Sequence, residues 1–167
     1  MEYLFISGAP SVGKTTTIHA VCHWLLSKYP GRDLRTDGLL FDRTAVPPAL
    51  ATSDFSFLFD TGDMKVLVHS ATDDPYNADM LVSFINQHKP GIVISSCRDY
   101  TDKMRDYLCT RLNIQNGYVL ASRHAYIQEF PLAKITRRTN RTDPYNWYFE
   151  NTMLRIKAVL SSAPYGL

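Results

Sequence analysis

Apolar positions along the chain follow two alternating periods. The opening run YLFIS, residues 3–7, is short, aromatic and branched, and it stops at Gly8, which predicts a buried strand. From Lys14 onward, Ile18, Val21, Cys22, Leu25 and Leu26 recur on one helical face until Tyr29-Pro30-Gly31 ends the pattern. Three strand-like runs follow, GLLFD ending at Asp42, FSFLFD ending at Asp60, and MKVLVH. Thr61-Gly62-Asp63 reads as a tight turn joining the last two in a hairpin. Between the first and second of these runs, AVPPALATSD contains Pro47-Pro48 and reads as an exposed loop able to cover a ligand.

Asp74-Pro75 is an N-cap followed by proline at the first helical position, and Met80, Leu81, Phe84, Ile85 and His88 form the stripe behind it, broken at Lys89-Pro90-Gly91. GIVISSC is an unbroken apolar run, as expected of a parallel strand covered on both faces. Thr101 is a cap for a helix carrying Met104, Tyr107, Leu108, Arg111 and Leu112, and GYVLAS reads as a further strand. Asp143-Pro144 opens a last helix with the stripe Phe149, Met153, Ile156 and Leu160. Strands alternating with helices predict an α/β fold: a mostly parallel sheet flanked by helices in three layers, with one antiparallel hairpin. A length of 167 residues fits one domain, residues 1–167, and no repeat, low-complexity segment or linker interrupts it.

Composition changes this picture little. With 45% hydrophobic and 20% charged residues the chain is of the globular class, and disordered or fibrous classes are excluded. A net charge of +2 gives no general attraction to nucleic acid or an anionic membrane, so any basic site must be local. Cys22, Cys97 and Cys109 have no metal-type spacing and read as reduced, buried thiols. The first ten residues lack the basic flank and long apolar stretch of a signal peptide, and no run approaches a membrane span. The expectation is therefore a cytoplasmic protein without a membrane partner.

Candidate chemistry begins at Gly8-Ala9-Pro10-Ser11-Val12-Gly13-Lys14-Thr15, which fits G-x-x-x-x-G-K-[ST] between a strand and a helix. Glycines allow a tight turn around phosphate oxygens. The amides from Ser11 through Val12 and Gly13 to Thr16 would lie at a helix start, where free N–H groups and the dipole favour an anion. Lys14 would reach the β- and γ-phosphates, Thr15 would join the shell of a Mg²⁺ ion, and Thr16 would touch the α-phosphate side. A short pattern of this kind also arises as a plain glycine-rich turn, but the flanking strand and helix supply the context the chemistry needs. Over residues 2–28 the chain resembles the P-loop NTPase superfamily. The resemblance implies a P-loop NTPase-type fold, a bound ATP or GTP, and Mg²⁺.

Such a site also needs an acid at the end of a neighbouring strand. Asp99, after GIVISSC, is the first choice for a catalytic role, because it would emerge at the carboxyl edge where ligands bind in open α/β sheets. Asp73 competes as a metal ligand, and Asp42 could sit beside an acceptor. Asp60 and Asp74 rank lower, as turn and cap residues. Arg98-Asp99-Tyr100 is loosely similar to the Asp-Arg-Tyr segment of thymidylate-kinase-like enzymes, with the charged pair in swapped order. Lys134, Arg137, Arg138 and Arg141 form the one dense basic cluster. A solvated loop explains it, but arginines closing over the γ-phosphate explain it better, with Arg138 and Arg141 as the contacts. A third reading sets them against a polynucleotide, with Tyr145, Trp147 and Tyr148 as stacking surfaces, although such aromatics more often pack in a core. The five histidines show no metal spacing.

Together these features favour an ATP- and Mg²⁺-dependent phosphotransferase of the small P-loop kinase type, acting on a nucleotide or other small metabolite. An NTPase that switches a partner or nucleic-acid interaction is the runner-up, and a non-catalytic nucleotide-binding module is the third possibility.

Overall fold

The computed structural model describes residues 1–36, 40–45, 53–133 and 143–167, with side chains in the last segment described from residue 146. The elements are β1 (Glu2–Ser7), α1 (Lys14–Leu26), β2 (Gly31–Asp33), β3 (Ser56–Asp60), β4 (Lys65–His69), α2 (Pro75–His88), β5 (Ile92–Cys97), α3 (Lys103–Leu112), β6 (Tyr126–Pro131) and α4 (Asp143–Leu160). They form a mixed α/β architecture around a six-stranded sheet in the order β2-β3-β4-β5-β1-β6. β4, β5, β1 and β6 run parallel, and β3 is antiparallel to both β2 and β4.

Alternation along each strand divides the core between the two faces of the sheet. Leu4, Ile6, Phe57, Phe59, Val66, Val68, Ile92 and Ile94 face α1 and α4, meeting Ile18, Val21, Leu25, Met153, Ile156 and Leu160. Tyr3, Phe5, Leu58, Leu67, Val93 and Cys97 face α2 and α3, meeting Ala78, Leu81, Ile85 and Leu108. β5 is buried along its whole length, as its unbroken apolar run requires. Near the C-terminus, the Tyr165 hydroxyl donates to the Tyr3 carbonyl at 2.6 Å, tying the end of the chain to the first strand.

Several local readings hold. The β3–β4 hairpin turns through Gly62 at φ 89°, with Gly62 N donating to the Asp60 carboxylate at 2.9 Å. Asp74 caps α2 by accepting from Asn77 N at 2.9 Å. Cys22, Cys97 and Cys109 are free and buried. Among the described residues no helix is long and apolar enough to cross a membrane.

Three readings are corrected. GLLFD is not a strand in its described part: residues 40–42 leave the sheet, and the strand is instead Gly31–Asp33, immediately after α1. Phe41 is drawn out of line into an aromatic group with His19, Phe55 and Phe57. Gly31 allows the early entry, because a Cβ there would lie 2.5 Å from the Phe57 ring and 2.9 Å from the Leu58 carbonyl. GYVLAS contributes only the isolated bridge Gln115↔Ala121, with Tyr118 and Val119 exposed, and the strand is β6. The cap of α3 is Asp102, whose carboxylate accepts from Met104 N at 2.8 Å, and not Thr101.

The sheet topology creates a specific edge. β1, β4, β5 and β6 end on the same side, and β3, being antiparallel, begins there. β1 leads through α1 to the β2 side on one face, while its neighbour β5 leads through α3 to β6 on the other face. Adjacent loops that leave in opposite directions open a crevice at the carboxyl ends of β1 and β5.

Candidate functional site

The glycine-rich segment occupies that crevice, between Ser7 at the end of β1 and Lys14 at the start of α1. Its course depends on three left-handed residues, Gly8 (φ 144°), Ser11 (φ 61°) and Gly13 (φ 96°). At Gly8 a Cβ would also meet Val12 Cγ2 at 2.9 Å and the Leu132 carbonyl at 3.0 Å, so both conformation and space select glycine. Gly13 occupies the N-cap of α1, where no side chain caps the helix and the first turn carries no acid. Thr17 N is the first amide of the helix to find a carbonyl, Gly13 O at 2.9 Å. The amides of residues 11–16 make no backbone hydrogen bond among the described residues. A helix start with no acid in its own first turn, and with these amides free of backbone partners among the described residues, has the electrostatics of an anion site.

Lys14 is only 7% exposed. Its Nζ turns back into the loop, donating to Gly8 O and Ala9 O at 2.8 Å each. Burial lowers its pKa, Asp73 and Asp99 act in the opposite direction, and Arg98 adds to the lowering. Thr16 is buried. The Thr17 hydroxyl bonds back to Gly13 O at 2.9 Å, whereas the half-buried Thr15 hydroxyl has no protein partner among the described residues.

The segments after β4 and β5 bring Asp73, Arg98 and Asp99 near Lys14, and Asp73 and Asp99 are two of the acids singled out in the sequence. Asp73 is the stronger of the two acids at the ammonium. It faces Arg98 Nε at 2.8 Å, an ion pair that is close but not aligned as a hydrogen bond. Arg98 Nη1 is buried and likewise has no hydrogen bond. Asp99 is exposed just beyond the strand.

Sequence reasoning missed a second group beside the first. Arg35, beyond β2, is buried and donates to Asn77 Oδ1 at 3.0 Å. Asp54, just before β3, is half-buried and accepts a long bond from Ser70 Oγ at 3.5 Å. Burial raises the Asp54 pKa, the nearby Asp73 and Asp74 raise it further, and Arg35 and Ser70 oppose them. These residues come from four separate segments and meet only because β3 starts where β2 and β4 end. An unexplained arginine in an otherwise irregular stretch was the one available sign. Beneath them His69 is fully buried, its Nδ1 sharing a 2.8 Å bond with Ser56 Oγ, and burial lowers its pKa to about 4.

On the β6 side, Arg105 is a buried tie. It makes a bidentate pair with Glu129 at 2.6 and 3.1 Å, and it also donates to Asn116 Oδ1, Arg98 O and Gly117 O.

Other expected positions lie elsewhere. Asp60 sits in the hairpin turn at the opposite edge of the sheet, and Asp74 is occupied as a cap. Asp42 is exposed, and hydrogen bonds from Thr44 and Ala45 hold its carboxyl below the usual range. Its carbonyl meets His19 Nε2 at 3.1 Å. Lys134, Arg137, Arg138 and Arg141, with Pro47-Pro48, lie outside the described residues. Trp147 is 68% exposed and not in the core, while the Tyr148 hydroxyl accepts from Ala133 N at 2.9 Å. Among the described residues no group of three His, Cys, Asp or Glu side chains is placed to hold a metal ion. Compared with known proteins, the chain matches no family model, no curated protein and no solved structure.

Proposed function

We propose that this chain is a Mg²⁺-dependent phosphotransferase that grips ATP or GTP in a P-loop at residues 8–15 and transfers the terminal phosphoryl group to a small acceptor. The observation carrying this reading is the run of amides over residues 11–16 that make no backbone hydrogen bond among the described residues, around an ammonium already turned into the same loop. Chelated phosphate oxygens would take over both sets of donors. Thr15, with its free hydroxyl, and the half-exposed Asp73 are the residues that suit a triphosphate-borne Mg²⁺, which would offset phosphate charge when bound.

In this reading Lys14 and Arg98 hold the terminal phosphates, and Asp99 and Asp73 tune the charge around Lys14. The cluster of Arg35, Asp54 and Asn77 holds the acceptor. Transfer breaks the bond from the terminal phosphorus to its bridging oxygen, leaving a nucleoside diphosphate, and forms one to the acceptor hydroxyl, whose proton passes to a carboxylate. Asp54 suits that role, since burial raises its pKa above the usual carboxylate value. Arg138 and Arg141 are assigned the closing positive charge on sequence grounds alone.

A second reading, a hydrolase that switches a partner, draws on the antiparallel β3–β4 hairpin beside the site. Incubation with γ-labelled ATP and a panel of nucleosides, nucleotides and sugars separates the two. Label on an acceptor is expected, and label found only in inorganic phosphate would refute the transferase assignment.

A further inference from the structure

Arg105 is the largest fully buried side chain in the described structure. A buried guanidinium is tolerated where its donors are used, and the destinations of these donors are informative. Beyond Glu129 on β6, Arg105 reaches Arg98 O at 3.2 Å in the loop after β5. It also reaches Asn116 Oδ1 at 2.8 Å and Gly117 O at 3.3 Å in the loop after α3. One side chain thus clamps two loops against each other at the carboxyl edge.

Each clamped loop presents a tyrosine within three residues of the clamp. Tyr100 is 50% exposed and Tyr118 is 87% exposed, and their rings meet edge to face at 5.9 Å with 65° between planes. Rings this open add little to the core, and their positions are set by a rigid, buried support. Tyr100 lies three residues beyond Cys97, whose carbonyl at the end of β5 accepts from Gly8 N at 3.3 Å, so the pair lies on the β5 side of the phosphate-binding crevice.

We propose that Tyr100 and Tyr118 form a stacking platform for a nucleobase whose phosphates point toward the Lys14 loop. This rests on the P-loop reading above and adds a ring-bearing ligand to it. Two exposed rings set at 65° to each other offer aromatic surface on which any planar base can stack. The ring belongs either to the triphosphate or to the acceptor, and the chemistry of recognition is the same.

Calorimetry with three probes tests this on the full chain: Mg²⁺-tripolyphosphate, which has no ring; MgATP and MgGTP; and the four common nucleoside 5′-monophosphates added to protein saturated with tripolyphosphate. Tyr100→Ala and Tyr118→Ala are expected to weaken the triphosphates or the monophosphates roughly tenfold. Tripolyphosphate affinity should be unchanged, and Tyr100→Phe should bind as the parent does. Loss confined to the triphosphates assigns the ring to the donor, and loss confined to the monophosphates assigns it to the acceptor. Equal loss for tripolyphosphate, or no loss in either nucleotide arm, overturns the platform. If the parent protein fails to bind tripolyphosphate, the P-loop reading falls. The nucleotide arms then decide the platform alone, and a chain that binds no nucleotide overturns it too.

Discussion

Lys14 sits in a position that is 7% exposed, with two loop carbonyls as its partners, and burial lowers its pKa. Hydrogen bonds from a charged donor contribute about 1.5–3 kcal/mol each. Lys14→Ala is therefore expected to weaken MgATP binding by roughly ten- to a hundredfold, and calorimetry showing unchanged affinity would contradict the site. His69 gives a prediction of a different kind. Its pKa falls from 6.5 to about 4 on folding, so between these values the unfolded chain binds more protons than the native one. Its contribution is fully present above pH 6.5 and is lost as pH falls toward 4, amounting to about 3 kcal/mol. Urea titrations at pH 7.5 and 4.5 should show this loss, and His69→Gln should flatten it. The glycine loop could be read from sequence because its chemistry is contiguous. Arg35 and Asp54 could not, because 19 positions separate them and only strand pairing unites them.

Among the elements, the central strands declared themselves through apolar runs, since β5 and β1 are buried on both faces and tolerate little else. The edge strand β6 gave no such signal. Its sequence YIQEFP carries Glu129 because that side chain pairs with Arg105, and Pro131 because it ends the strand. GYVLAS misled for the converse reason: its apolar residues are on a surface loop, where Tyr118 faces solvent. The Arg105–Glu129 pair fastens α3 to β6. Removing one partner of a buried pair costs about 3–5 kcal/mol, so Arg105→Ala should lower stability by that order in chemical denaturation. The pair replacement Arg105→Met with Glu129→Leu should recover part of it. If Arg105→Ala costs under about 1 kcal/mol, the clamp is not structural.

For the molecule as a whole, the sheet order decides which residues become neighbours. β1 inserted between β5 and β6 sets the loop beside Arg98 and Asp99, and the reversed β3 delivers Asp54 to the same edge. The proposed donor and acceptor regions would then lie along one rim in strand order. Asp54→Asn is expected to lower turnover at least tenfold while leaving MgATP affinity within about twofold, as for a group acting on the acceptor. A parallel fall in both quantities would place Asp54 at the nucleotide instead. The self-bonded Lys14 has a further consequence for a molecule working among many dissolved anions. Two of its three N–H donors are spent on loop carbonyls, so one remains for an incoming ligand, and each carbonyl displaced to gain more would forfeit about 1.5–3 kcal/mol. Chloride or a lone phosphate would recover few contacts for that loss, whereas a polyphosphate chain would engage many amides at once. On the proposed phosphate-binding reading, the resting loop would thereby select by chain length, favouring multidentate anions over the abundant small ions of its surroundings.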